Sequence, residues 1–325
     1  MIEVHDLRRT YRVLEQGEGL WGSVRGLFSS KGRDVNAVDG VSFEIGRGEF
    51  VGYVGPNGAG KSTTLKMLTG ILVPTAGHVQ VCGVVPHRER TRLAGRIGVV
   101  FGQRTQLWWD LPAAEGFRLL RHIYAVDSAT FEARLADLRE RLDLGDFIAS
   151  PVRKLSLGQK MRCELAAALL HGPEVLFLDE PTIGLDVVVK ESLHRFLREL
   201  NQERGTTILL TSHDLDDIER LCRRVMVIDR GQLIHDGDLA SLHTRYGHVR
   251  RLKVTLREAP RASEVPELPE GATLESAEGR AWTIAFDAER LKAPELVRHL
   301  LQAHDVVDLS VLEASIEDVV KRIYR

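Results

Sequence analysis

The chain has 325 residues, with 44 Lys and Arg against 46 Asp and Glu, a net charge of −2. Such a balance offers no electrostatic footprint for wrapping nucleic acid, and 43% hydrophobic with 28% charged residues excludes a disordered chain. Three scattered cysteines, Cys82, Cys163 and Cys222, form neither a disulfide framework nor a CxxC metal pair, which predicts a reducing compartment.

The N-terminal residues include Glu3 and Asp6 where a secretory signal is basic and then apolar, so no signal is expected. No apolar run approaches the roughly 18 residues of a membrane span, so none is predicted. Ile2–Val4 reads as strand. Polar residues follow, then a Gly-punctuated insertion over 15–36. Within it Leu20, Trp21, Val24, Leu27 and Phe28 share one face of a predicted helix, with Arg25, Lys31 and Arg33 nearby. Ala37–Ile45 alternates as a strand, and Phe50–Val54 is an apolar strand running into a Gly-rich loop. Ser62–Leu68 reads as helix, 112–145 as helical, and Ser156–Leu170 as a further long helix. Val175–Leu178 and Thr207–Leu210 are short buried strands. Apolar strands alternating with helices predict a parallel sheet covered on both faces.

The character changes from about Tyr246. Leu252–Thr255, Trp282–Phe286 and Val306–Leu312 read as strands, Pro294–Ala303 and Ser315–Tyr324 as helices, and 259–270 as linker. The expected organisation is therefore a domain over 1–240 and a small α+β domain over 246–325.

Gly55-Pro56-Asn57-Gly58-Ala59-Gly60-Lys61-Ser62 fits G-x-x-x-x-G-K-[ST] between a strand and a helix, with Thr63 next. Glycines let backbone N–H groups converge on phosphates, Lys61 reaches the β- and γ-phosphates, and Ser62 offers a hydroxyl to Mg²⁺. Downstream, Val175–Leu178 ends in Asp179-Glu180. Asp179 can hold the Mg²⁺ shell, and Glu180 can polarise a water for in-line attack on the γ-phosphate.

Between these two motifs lies Leu155-Ser156-Leu157-Gly158-Gln159, opening a helix. This order resembles the ATP-binding subunit of an ABC transporter, whose signature reads LSGGQ; Leu157 departs from that pattern. The resemblance covers residues 1 to about 240. It implies an α/β fold, a phosphate-loop ATPase core with an inserted helical subdomain over about 105–170 and an antiparallel β edge. It implies ATP hydrolysis with Mg²⁺. By position, Gln103 resembles the glutamine that senses Mg²⁺ and the transmembrane partner. Asp186 resembles the D-loop aspartate, His213 the switch histidine near the γ-phosphate, and Tyr11 the aromatic stacked on adenine, with Val35 as an alternative cover for the base.

The family arrangement further implies a head-to-tail dimer, of this chain or with a related ATPase subunit. Each ATP is held between one subunit's Lys61 and the other's Ser156, Gly158, Gln159 and Asp186. A separate transmembrane permease is implied, with the chain peripheral on the cytoplasmic face of the membrane. Pro181–Asp186 and the small C-terminal domain resemble half-size exporters of drugs, antibiotics or lipids, and Leu107–Pro112, Leu157 and the insertion before Val38 resemble one exporter subgroup, some members of which are of the viologen or multidrug type. A nutrient importer ATPase and a non-transport ABC ATPase are the alternatives. The insertion over 15–36 is expected either to pack on this chain's own core or to dock on the permease or lipid.

Overall fold

The computed structural model describes residues 1–14, 32–102, 104–212, 214–246, 249–259 and 266–312. The predicted helix within 15–31, the predicted helix over Ser315–Tyr324, Gln103 and His213 lie outside them. The chain divides into two compact units, Met1–Asp236 and Gly237–Arg325.

The first unit opens with a long hairpin, β1 (Ile2–Leu14) and β2 (Gly32–Ile45), paired antiparallel from Ile2↔Ile45 to Leu14↔Gly32. Residues 32–36, expected within the insertion, are thus part of strand β2. After β3 (Phe50–Val54) comes α1 (Lys61–Leu68), then β4 (Ala76–Val81). β4 pairs antiparallel with β1, so the order of this sheet is β2-β1-β4. Its inner face, including Ile2, Val4, Val41, Phe43 and Val79, shares a hydrophobic cluster with Leu65, Tyr53 and Phe177.

α2 (Arg90–Ala94) and β5 (Ile97–Phe101) follow. The stretch expected to be helical over 112–145 is two helices, α3 (Ala113–Ile123) and α4 (Ser128–Arg141). Ala125 takes φ 51°, and the Asp127 carboxylate accepts the Thr130 N–H at 2.9 Å, so one helix ends and the next is capped within four residues. Then come α5 (Leu157–Leu169), β6 (Val175–Asp179), α6 (Val187–Arg204), β7 (Thr207–Ser212), α7 (Leu215–Leu221), β8 (Arg224–Asp229) and β9 (Gln232–Asp238).

The main sheet has the order β5-β6-β7-β3-β8-β9, and its first five strands are parallel. Every residue of β3 and β7 is buried. Continuous apolar strands are what a parallel sheet covered on both faces requires. The carboxyl ends of β3, β6 and β7 lie side by side, because Val54 pairs with Ser212 and Asp179 with Thr211. Ligands of open α/β sheets bind outside such ends.

The second unit contains α8 (Leu239–Tyr246), β10 (Val249–Leu256), β11 (Ala272–Glu278), β12 (Ala281–Asp287), α9 (Ala293–Ala303) and β13 (Val306–Leu312). The strands form one antiparallel sheet, β11-β12-β10-β13. Trp282, Ile284, Phe286, Leu252 and Val254 build its core with Leu296 and Leu300 of α9.

Candidate nucleotide site

The loop after β3 is shaped by where side chains cannot go. Gly60 holds φ 110°, and a Cβ there would lie 2.4 Å from the Ala37 carbonyl oxygen of β2. Gly60 is also the N-cap of α1 and provides no side chain to its amides. The first N–H groups of a helix lack intrahelical partners, so an uncapped start presents them to an anion. Lys61 is 6% exposed, and its Nζ donates to the Gly55 carbonyl at 2.6 Å and the Pro56 carbonyl at 3.2 Å. Burial holds its ammonium below the ordinary lysine range, opposed by the charges of Glu180 and Asp179.

The two acids stand across from this loop. Asp179 Oδ1 accepts from Thr211 Oγ1 at 2.6 Å and from Ser62 Oγ at 3.4 Å. Glu180 takes φ 52°, a left-handed conformation that costs a non-glycine residue on the order of 1–3 kcal/mol. Its N–H is held by Thr211, donating to the carbonyl at 3.0 Å and reaching the hydroxyl at 3.2 Å. Thr211 therefore fixes both acids from the neighbouring strand. Gly102 closes the same corner: its N–H donates to the Asp179 carbonyl at 2.8 Å. A Cβ on Gly102 would fall 2.3 Å from the Glu180 carbonyl oxygen, so no other residue fits there. Asn57, Ser62, Arg104, Asp179, Glu180 and Ile183 are among the walls of a cleft of about 540 Å³ at this point.

The signature segment is built differently. Ser156 caps α5 with its Oγ accepting the Gln159 N–H at 3.2 Å, while Gln159 Oε1 accepts the Ser156 N–H at 3.0 Å. Asp186 likewise caps α6, accepting the Val189 N–H at 2.9 Å. These starts adjoin: a Cβ on Gly158 would lie 3.1 Å from Val189 Cγ2, and one on Gly184 3.1 Å from Leu157 Cδ2. Gly158 is small because α6 packs against it, and Leu157 covers Gly184. Of the described residues, none of Ser156, Gly158, Gln159 and Asp186 lines the cleft of Asp179 and Glu180.

Tyr11 and Val35 are direct cross-strand neighbours on the hairpin, both exposed, with the Arg9 guanidinium 4.7 Å from the centre of the Tyr11 ring. Directly paired residues of an antiparallel ladder share a face, so the two candidates for covering a base form one surface.

Several contributors went unassigned in the sequence. Thr211 belongs to the stretch that carries His213, yet its hydroxyl role becomes visible only when β6 and β7 are paired. Glu164, in the apolar run of α5, is 4% exposed and accepts the Thr105 hydroxyl and, at 3.1 Å, the Gln106 N–H. Burial pushes its carboxyl up, opposed by those hydrogen bonds. Asp217 of α7, 2% exposed, accepts the Thr182 hydroxyl and lies 3.0 Å from His194 Nε2. Burial raises its pKa, but the contacts with His194 and Thr182 outweigh this and hold it below the usual carboxylate range.

A parallel sheet, an uncapped helix start facing its carboxyl ends and an acid pair beside them define a nucleotide-hydrolysing phosphate-loop protein. The ABC transporter family profile matches residues 38–183. The chain is 35% identical over 216 residues to the ABC transporter ATP-binding protein NatA of Bacillus subtilis, covering 66% of this chain and 87% of that protein. It is 35% identical over 284 residues to the daunorubicin resistance ATP-binding protein DrrA3 of Streptomyces coeruleorubidus, covering 87% of this chain and 86% of that protein. Among solved structures, it superposes on a dimeric ATP-binding cassette in a post-hydrolysis state with ADP and Pi. There the TM-score is 0.62 and identity 27%, over 74% of this chain and 99% of the other. The chain belongs to the ATP-binding proteins of the ABC transporter family, and it is an ATPase. Among the described residues, no helix is long and apolar enough to cross a membrane.

Proposed function

We propose that this chain is the ATP-hydrolysing subunit of an exporter of drugs or other small amphipathic molecules, working as a head-to-tail homodimer on a separate permease at the cytoplasmic face of the membrane. The observation that carries export is the match to the daunorubicin resistance protein, because it spans 87% of this chain and so extends beyond the ATPase unit. A linearmycin resistance ATP-binding protein and a Nod factor export ATP-binding protein are also similar, at 35% and 41% identity.

In this reading the amides of Gly55–Thr63 and Lys61 bind the phosphates, and the Tyr11–Val35 surface takes the base. Lys61 exchanges its Gly55 and Pro56 carbonyl partners for phosphate oxygens, a charge-assisted and stronger bond. Ser62 Oγ and Asp179 Oδ1, 3.4 Å apart, are hard oxygen donors that fit Mg²⁺, with Gln103 as a third. When bound, Mg²⁺ neutralises phosphate charge. Glu180 takes the proton of the attacking water; its left-handed backbone, held by Thr211 and crowded by Gly102, fixes the carboxylate's origin. His213 serves the γ-phosphate. Ser156, Gly158, Gln159 and Asp186 serve the nucleotide of the opposite subunit, consistent with their absence from this subunit's own cleft walls. The opposite subunit's contacts to the γ-phosphate exist only when the dimer is closed, so ATP favours closure and hydrolysis favours opening.

The test is Glu180→Gln in the purified chain. ATP binding measured by calorimetry stays intact, phosphate release falls roughly 10²-fold or more, and ATP shifts the protein to dimer in sedimentation. Near-normal turnover removes Glu180 from its role, and a monomer at saturating ATP removes the sandwich. Export itself is tested by the membrane protein that copurifies and by efflux from vesicles containing both.

A further inference from the structure

The turn that follows β5 carries a cation whose purpose the site described above leaves open. The Arg104 N–H donates to the Phe101 carbonyl at 2.9 Å, closing a tight turn. The next two residues are fastened to the interior of α5. The Thr105 hydroxyl donates to one Glu164 oxygen, the Gln106 N–H to the other at 3.1 Å, and Gln106 Nε2 to the Glu164 carbonyl at 3.1 Å. Glu164 is 4% exposed, and a buried carboxylate with a donor on each oxygen has a fixed geometry. Arg104, by contrast, is exposed and its side chain makes no hydrogen bond or ion pair among the described residues, although the residue lines the same cleft as Ser62, Asp179 and Glu180. An arginine whose side chain has no partner is available to an anion, and its planar fork matches phosphate oxygens.

We propose that Arg104 is a phosphate-binding residue of the ATP site that reads the terminal phosphate, and that Glu164 is its positioning residue, holding the 104–106 turn from inside the signature helix. The proposal rests on the cleft being the phosphate end of the nucleotide site. It gives this site a selectivity for triphosphate over diphosphate that is set by the packing of α5.

Calorimetric titration of the purified chain with AMP-PNP·Mg²⁺ and with ADP·Mg²⁺ tests it. Arg104→Gln is expected to weaken AMP-PNP binding about 10-fold and ADP binding less than about 2-fold, and Arg104→Lys to recover part of the loss. Glu164→Gln, or Thr105→Val should that variant fold poorly, is expected to lose the same selectivity to a smaller degree. Neither adds to the loss already caused by Arg104→Gln. Lys66→Gln, on another wall of the cleft, leaves the ratio within about 2-fold. An unchanged ratio in Arg104→Gln overturns the phosphate contact. A Glu164→Gln effect that adds in full to Arg104→Gln, or a lowered Tm with an unchanged ratio, overturns the positioning role. Failure of the cleft itself has a different signature: the wild-type chain then binds neither nucleotide.

Discussion

The helices α1 and α5 begin in opposite ways, and the contrast separates two kinds of binding. α1 starts at Gly60 with no side chain on its amides, behind a lysine whose ammonium rests on backbone carbonyls. α5 starts at Ser156 with a closed capping box, the Ser156 hydroxyl accepting the Gln159 N–H and the Gln159 side chain accepting the Ser156 N–H. The first start is built to receive an anion within the subunit. The second has its cap closed by its own residues, and in the proposed head-to-tail dimer it meets a phosphate only when another subunit delivers it. The proposed ATP-driven clamp needs this pairing: one start that binds nucleotide in the single subunit and one that engages it only on closure.

The largest expected break in this contrast is Lys61→Ala. It removes the charge proposed to bind phosphate without touching α5, and nucleotide binding by calorimetry is expected to fall at least ~100-fold with no loss of helix content. Binding within a few-fold of wild type would assign the phosphate to other groups. A smaller effect is expected from Ser156→Ala. Losing the cap costs about 1 kcal/mol of stability, read as a Tm lower by a few degrees. Nucleotide binding to the monomer stays unchanged while ATP-dependent dimerisation weakens. Equal weakening of monomer binding would place Ser156 in the cleft of its own subunit.

Much of α1 was legible in the sequence because a glycine pattern between an apolar strand and a helix has few other uses. The acids at the end of β6 were legible as the close of a buried strand, and the structure sets Asp179 beside Ser62 of the glycine-rich loop. The hairpin beyond Val4 was not. Residues 8–12 and 32–36 are mostly Arg, Thr, Asp and Asn with both faces largely exposed, so no alternation marks them. Their strand state comes from cross-strand pairing such as Thr10↔Asn36. The break between α3 and α4 had a signal, Asp127 before Ser128, which the surrounding helix formers masked. Glu164 read as one polar residue in an apolar helix; its partners Thr105 and Gln106 are 59 and 58 positions away, a separation that pattern reasoning does not bridge. β11 was missed because most of its residues are exposed.

A third helix start sharpens the comparison with the smallest expected effect. α7 is capped by Asp214, which accepts the Asp216 N–H at 3.2 Å, and is anchored by buried Asp217 beside His194 and Thr182. The folded pKa of Asp217 is depressed, so its contribution is present above the unfolded value of about 3.9 and is lost as pH falls through the folded value. Asp217→Asn is therefore expected to lower Tm at pH 7, with the gap to wild type narrowing below about pH 4. A gap that widens in acid would mean the carboxylate is not stabilised by these neighbours.

The shared site is tested most directly by mixing two inactive chains, Lys61→Ala and Ser156→Arg. In a head-to-tail dimer of one of each, the intact phosphate loop of the second faces the intact signature of the first, while the opposite site is broken twice. Equimolar mixing is then expected to restore ATP hydrolysis to at most about a quarter of the wild-type rate per chain. Recovery that never rises above either variant alone, with mixed dimers shown to form, would contradict the account and place both halves of each site in one chain.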